Sequence, residues 1–406
     1  MKPSSGLVVG RRASLVLALS LLCGGTLRAQ AAPPASGQLE ERVRTLVEQK
    51  FAPSIASGAP SEDRAPGGIV AVYVQGKRLF FPYGRIDEAG TPPSPNTVFG
   101  LASVTKVLTT AIFGQSPELF DAKVRDHAPE VFQLEGPLAD ITFGQLATYT
   151  AGISPSDPDT CKRGCDQAEF VEFINSRKPA RLPAEVDYSN SSIGFLGQVL
   201  VAKSGAKNYD TPQAFQRWYE ANLFKPLKMN ATGVAPGKSD RKHPLSAAFD
   251  YDPRSKSYRV VDYGGWCPWG TAGRVFSTAD DMLNFASAAA GASSVSGKPV
   301  PKKVRDGLQR ALAPRTPMPK ENGSEQGYAW IVKPEDAKNH SRMRTKNGGL
   351  AGISSAVLVN PDLQIAVVVL TNMVKVHSVE AGKAIMNGLE NMVAEQPSES
   401  GPRARH

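Results

Sequence analysis

Three short motifs lie in order along the 406-residue chain: Ser103-Val104-Thr105-Lys106, Tyr188-Ser189-Asn190 and Lys346-Asn347-Gly348. They offer a hydroxyl beside an amine, a phenol beside an amide, and a cation followed by small residues. A serine hydroxyl is a poor nucleophile until a base takes its proton. A lysine does so only where burial or neighbouring cations lower its pKa. Residues three apart share a helix face, so Ser103 and Lys106 are expected side by side at a helix start. Backbone N–H groups there also favour a developing oxyanion. Tyr188 can share the proton work, because nearby ammonium groups favour its phenolate. Asn190 offers a donor and an acceptor, to a substrate amide and to Lys106. Lys346 can pair with a substrate carboxylate. Asn347, Gly348 and Gly349 suit an edge strand whose backbone approaches the substrate closely, with the Gly349 amide completing an oxyanion hole. This is the chemistry of acyl transfer through a serine ester, without histidine.

The ordered set carries the argument, because Ser-x-x-Lys also occurs at Ser204 and Ser239. Lys203-Ser204-Gly205 reads as punctuation at a helix end, with Gly205 in the C-cap region. A Ser-His-Asp scheme finds little support, since no Gly-x-Ser-x-Gly elbow is present. His127, His243, His340 and His406 read as surface or capping residues, and His377 alone is expected near the site. Cys161-x-x-x-Cys165 has no histidine nearby, so neither a metal site nor any other cofactor is expected.

The positioning elements follow from periodicity. Gln38 to Phe51 reads as a helix with Leu39, Val43, Leu46 and Val47 on one face. Ile69–Val74 and Arg78–Tyr83 form a hairpin candidate around Gln75-Gly76-Lys77. From about Gly114 to Gly265 the chain reads as helix and loop. Ser355–Val359 and Leu363–Leu370 are β-branched runs around the turn signal Asn360-Pro361-Asp362, and Val379–Val393 reads as a final helix. Strands at both ends with helices between predict one sheet assembled from the two termini. The expected domain is residues 32–396, with an α/β part at about 32–113 and 266–396 and a helical insert at about 114–265.

Residues 1–31 read as a signal peptide: basic Lys2, Arg11 and Arg12, an apolar run from Ala13 to Cys23, then Ala29-Gln30-Ala31. The run is too short to span a bilayer, and the Arg11-Arg12 pair leaves Sec and twin-arginine export both open. Bulky Leu22 argues against lipidation at Cys23. The expectation is an exported, periplasmic or secreted monomer without a membrane span once the signal is removed. Removing it would leave 375 residues and take away Lys2, Arg11, Arg12 and Arg28, lowering the formal charge from +9 to about +5. No clustered basic stripe marks a nucleic-acid partner. Export would allow a disulfide within Cys161, Cys165 and Cys267, and residues 397–406 read as a disordered tail.

With these residues in view, the chain resembles the serine β-lactamase family, class C β-lactamases and their DD-peptidase and esterase relatives. Those families carry Ser-x-x-Lys, Tyr-x-Asn and Lys-Thr-Gly in this order. The resemblance extends to Ile141–Gly152 (ITFGQLATYTAG), Tyr188–Gly194 (YSNSSIG), Leu223–Met229 (LFKPLKM) and Phe276–Met282 (FSTADDM). It implies an antiparallel sheet flanked by helices, with an all-helical subdomain and the site between them. It also implies Ser103 as acylated nucleophile and Lys106 with Tyr188 as the proton-transfer pair. Asn190 would contact the substrate amide, Lys346 would hold its carboxylate, and the Ser103 and Gly349 amides would form the oxyanion hole. The implied partner is a small β-lactam or a cell-wall peptide of the D-Ala-D-Ala type; a small-ester hydrolase and a non-catalytic penicillin sensor are the alternatives. Four departures touch recognition. Asn347 replaces the family's threonine, and Asp157 falls where class C enzymes tend to place a substrate-contacting glutamine. His377 and Glu380 fall where an asparagine and an arginine are common.

Overall fold

The computed structural model describes residues 36–153, 166–235, 242–338 and 341–395. The signal-like leader, Asp157, Cys161, Cys165, Ser239, His340 and the C-terminal tail lie outside the described residues. Numbering only the strands of the central sheet, β1 is Gly67–Val74, β2 Lys77–Gly84, β3 Thr316–Met318 and β4 Ser324–Gln326. β5 is Ile331–Val332, β6 Arg344–Leu350, β7 Ile353–Asn360 and β8 Ile365–Thr371. They run in the order β2-β1-β8-β7-β6-β5-β4-β3, antiparallel throughout. The two chain ends therefore meet at the β1–β8 pairing, as the strand-rich ends predict. The strands β3, β4 and β5 are too short to stand out in the sequence.

Local chemistry sets the turns. β1 and β2 are joined by Gln75 and Gly76, both at positive φ (52° and 76°), which matches the right-handed twist of a tight hairpin. Between β7 and β8, the Asn360 side-chain oxygen accepts from the Asp362 and Leu363 amides at 3.2 and 3.3 Å. That is the turn signal working through its side chain.

The helices are α1 Ser36–Lys50, α2 Thr105–Phe113, α3 Phe143–Ala147, α4 Gln167–Asn175, α5 Asn190–Lys203, α6 Pro212–Tyr219, α7 Ala279–Ala289, α8 Lys302–Leu312 and α9 Ser378–Ala394. Alternation along the central strands splits the core in two. Val70, Val72, Leu358, Val367 and Val369 pack with Leu39, Val43 and Val47 of α1 and Ile385 and Leu389 of α9. Ile69, Ala71, Val357, Val359, Val368 and Leu370 face the other way, towards α2, α5, α7 and α8. Both faces of β1, β7 and β8 are thus covered, which is why these strands are so rich in valine.

Two expectations need correction. The stretch read as helix and loop also holds a β-hairpin, Ala248–Asp252 with Ser257–Val261. Its strands are only five residues each, and the Phe249-Asp250-Tyr251-Asp252 alternation is too short to stand out within a long helix-and-loop stretch. The Lys346 strand is also not an edge along its whole length. Arg344 and Thr345 pair with β5, while Lys346 to Leu350 pair with β7 alone. The free edge begins where the motif begins.

Candidate active site

Ser103 lies in a single 3-10 turn, Ala102–Val104, that leads into α2. Ala102 holds a left-handed backbone (φ 44°), a strained conformation of the kind that persists where the surroundings enforce it. Those surroundings are visible. The Leu101 carbonyl accepts from Ser355 Oγ of β7 at 2.6 Å, and the Leu101 amide donates to the Val275 carbonyl at 2.9 Å. Gly348 closes the third side. A Cβ there would meet the Leu101 oxygen at 2.4 Å and the Ser103 nitrogen at 2.9 Å, so only glycine lets β6 run alongside the turn.

The three motifs converge. Ser103 Oγ lies 2.7 Å from the Tyr188 hydroxyl and 3.0 Å from Lys106 Nζ. Lys106 is fully buried and also donates to Asn190 Oδ1 at 2.5 Å and to the Ala272 carbonyl at 2.7 Å. Three acceptors surround a group with three donors. With Lys106 donating to Ser103 Oγ, the serine proton points at the Tyr188 oxygen. The Tyr188 hydroxyl in turn donates to Asn190 Oδ1 at 3.2 Å. Lys106 Nζ and Lys346 Nζ lie 4.9 and 5.1 Å from the centroid of the Tyr188 ring, so two cations favour negative charge on that phenol.

Lys346 is buried and donates to the Asn347 carbonyl at 2.8 Å. Burial without a counter-charge pulls its pKa down to about 7. Asn347 and Gly349 are exposed on the cleft side. Around Gly349 the space is open: a Cβ there would touch only Val374 at 3.8 Å.

The helical scaffold is as tightly specified. Ser189, rather than Asn190, caps α5 by accepting from the Ser192 amide at 3.0 Å, which leaves the Asn190 side chain for Lys106. Gly197 of α5 packs so closely on Thr271 that a Cβ would fall 2.2 Å from its hydroxyl oxygen. Thr109 of α2 donates to the Thr271 carbonyl at 2.6 Å. The segment carrying the Ala272 carbonyl is therefore clamped between α2 and α5.

A cleft of about 1030 Å³ opens over Ser103, lined by Tyr149, Val186, Tyr188, Asn190, Lys346 and Gly349 and, further out, by Met318, Gln326 and Ile331. Ala272, Gln326 and the rim residues have no place in the sequence motifs, and Tyr149 falls in the Ile141–Gly152 segment without a role of its own. His377 does not line the cleft; it is exposed at the start of α9, and its charge acts weakly on Asp63. Glu380 pairs with Lys383 at 2.8 Å. Ser204 follows α5 and donates to the Val201 carbonyl at 2.6 Å, with Gly205 at φ 90° behind it. It is a helix terminus and no part of the cleft. Among the described residues no group of His, Cys, Asp or Glu is placed to hold a metal ion, and no helix is long and apolar enough to cross a membrane.

An antiparallel sheet with helices on both faces and a serine–lysine–tyrosine cluster at the edge of β6 define a hydrolase scaffold. The chain belongs to the β-lactamase family, whose model matches residues 39–387. It is 31% identical to a β-lactamase of Escherichia coli (strain K12) over 212 residues, 50% of this chain and 51% of that protein. It is 25% identical to a β-lactamase of Pseudomonas fluorescens over 357 residues, 79% of this chain and 93% of that protein. The matched segment thus spans about half the length of the Escherichia coli relative. The fold is similar to that of a class C β-lactamase from Rhodobacter sphaeroides, with a TM-score of 0.69 at 20% identity. That similarity covers 87% of this chain and 99% of the other.

Proposed function

We propose that this protein is an exported serine hydrolase that cleaves the amide of β-lactams, of D-Ala-D-Ala-type wall peptides, or of both, through an acyl-enzyme on Ser103. The observation that carries the reading is the placement of Ser103 Oγ 2.7 Å from the Tyr188 hydroxyl and 3.0 Å from Lys106 Nζ. In the forward step the Ser103 proton passes to the Tyr188–Lys106 pair as Oγ bonds to the substrate carbonyl carbon. The developing oxyanion takes hydrogen bonds from the Ser103 and Gly349 amides. Collapse expels the amide nitrogen, which receives the proton from the same pair, and leaves the acyl group on Oγ. Water then repeats the sequence and frees the serine. Asn190 holds Lys106 and meets the substrate amide, and Lys346 meets the substrate carboxylate. A wall-peptide enzyme with some β-lactam turnover is the preferred form of this reading. Asn347 in place of a hydroxyl on the cleft lining, and Asp157 in place of the glutamine, alter recognition while the proton-handling groups stay intact.

Intact-mass measurement over time with benzylpenicillin tests it. A transient adduct on Ser103 with complete drug hydrolysis makes the protein a β-lactamase. A long-lived adduct, with cleavage of a D-Ala-D-Ala peptide, makes it a DD-peptidase. Absence of both adduct and hydrolysis would overturn the amide-cleaving reading and favour the small-ester hydrolase. Export rests on the leader-like first 31 residues. A secreted product whose N-terminus begins at Ala32 would support it; an uncleaved chain held in the cytoplasm would end it.

A further inference from the structure

Gln326 stands in β4 beside the cleft with its amide fixed in one orientation. The residue is 2% exposed, and it lines the cleft. Its Nε2 lies 2.9 Å from the Gly327 carbonyl oxygen and 2.9 Å from that of Trp330. Two carbonyl oxygens accept and cannot donate, so the nitrogen must face them and the side-chain oxygen must face away. Among the described residues no donor reaches that oxygen. It is also not sealed in: the fully enclosed polar atoms without a partner include Tyr149 Oη and Trp330 Nε1, and not Gln326 Oε1. A side chain buried to more than nine-tenths thus presents one open acceptor, and the surface it reaches is the cleft.

Its place relative to β6, the strand of Lys346, is set by register. Gln326 opposes Ile331, and Ile331 opposes Thr345, the residue before Lys346. Two strand spacings, about 10 Å, separate Gln326 from β6. Ile331 and Met318 flank it with apolar surface on the same cleft. A substrate part reaching this far finds an apolar wall with a single rigid acceptor.

We propose that Gln326 is a specificity-determining residue whose Oε1 accepts a hydrogen bond from a substrate N–H or O–H two strand spacings from Lys346. The assignment rests on the hydrolase reading above and deepens it. The preferred substrate is extended and carries an amide, ammonium or hydroxyl donor at that distance; a carboxylate there meets the acceptor lone pairs and is rejected. An analogue lacking the donor strips water from the oxygen and returns nothing, which is the basis of its exclusion.

The test compares kcat/KM for benzylpenicillin and its α-amino derivative in the parent and in Gln326→Met. The parent should favour the amino compound about tenfold, the scale of one good hydrogen bond. The methionine variant should bring that ratio close to one, whatever its absolute rate. Both substrates are read on one sample, so a smaller folded fraction cancels from the ratio. A parent ratio near one, or the same ratio in the parent and Gln326→Met, overturns the assignment. Failure of the parent to form any acyl-enzyme on Ser103 is a different result: it overturns the hydrolase reading, and this assignment with it.

Discussion

Two buried lysines serve the cleft from different walls, Lys346 on its lining and Lys106 behind Ser103, and the protein treats them differently. On the helical wall, Lys106 meets three acceptors at 2.5, 2.7 and 3.0 Å, one of them the nucleophile. On the sheet wall, Lys346 is almost as deeply buried but, among the described residues, bonds only to Asn347, and its pKa falls to about 7. The first group is held by its neighbours for exchange of a proton with Ser103 and Tyr188. The second lacks a counter-charge that an incoming carboxylate would supply. Proton handling is thus built to be complete without substrate, and recognition is built to be incomplete until substrate arrives.

The sharpest way to break this contrast is to remove each lysine in turn. Lys106→Ala should lower kcat by three or more orders of magnitude with every substrate, as expected for loss of a proton-transfer group acting in concert with others. A loss under about tenfold would take Lys106 out of that role. Ser204→Ala, outside the cleft, should leave rates at the parental level. Lys346→Ala should instead act through KM, raising it about 10- to 100-fold for anionic substrates while neutral esters change little. Equal losses for charged and neutral substrates would mean that Lys346 serves the chemistry and not the carboxylate.

The two glycines of the sheet wall make a smaller and cleaner contrast. Gly348→Ala drives a methyl group against the Leu101 carbonyl and the Ser103 amide. It should cost about 100-fold in kcat, the scale of a misplaced nucleophile or oxyanion hole, together with a lower Tm. Gly349→Ala enters open space and should melt with the parent. Matching melting curves for the two variants would mean that the close approach of β6 to the Ser103 turn is not real.

Acidity separates the lysines without mutation. For Lys346 the folded pKa of about 7 lies below the ordinary 10.5, so its ammonium is lost as pH rises through 7. The free-enzyme profile of kcat/KM for a carboxylate substrate should fall above that pH, and that for a neutral ester should lack the same limb. Stability moves the other way. Between about pH 7 and 10.5 the unfolded chain binds more protons at this group than the folded one, so its contribution to stability rises with pH across that window. Identical profiles for charged and neutral substrates would sink the assignment of the limb to Lys346.

What the sequence disclosed follows the same division. Ser103, Lys106, Tyr188, Asn190 and Lys346 were legible because their side-chain types carry the chemistry and their short spacings survive in any fold. The valine-rich strands and the apolar face of α1 were legible through period. The Ala272 carbonyl was not, because every residue has one and its place beside Lys106 depends on a closure across 166 residues. Gln326 was hidden for a related reason: what matters is which of its two amide ends remains open, and that is decided by the Gly327 and Trp330 carbonyls. The short strands from Thr316 to Val332 gave too little alternation to be seen. Gly348 alone left a usable signal, the first of two glycines that follow Lys346-Asn347.

A last and smaller contrast sets two tyrosines against each other. Tyr188 is 42% exposed, and its hydroxyl is engaged by Ser103 and Asn190. Tyr149 is 3% exposed, its ring centroid lies 5.3 Å from that of Tyr188, and its hydroxyl is enclosed without a partner. Burial holds its pKa well above the ordinary tyrosine range, and negative charge on Tyr188 would push it higher. Tyr149 therefore stays a neutral phenol and works through its ring and backbone; its carbonyl accepts from the Asp187 amide at 3.1 Å and so helps to seat Tyr188. Its φ of 59° adds strain that the fold must hold. Tyr149→Phe keeps the ring and removes only the stranded hydroxyl, so it should stabilise the protein by about 1 kcal/mol and leave kcat within about threefold, read by chemical denaturation and steady-state rates. A tenfold fall in kcat in a well-folded phenylalanine variant would show that the hydroxyl takes part in the reaction, and that proton handling on this wall is not complete without it.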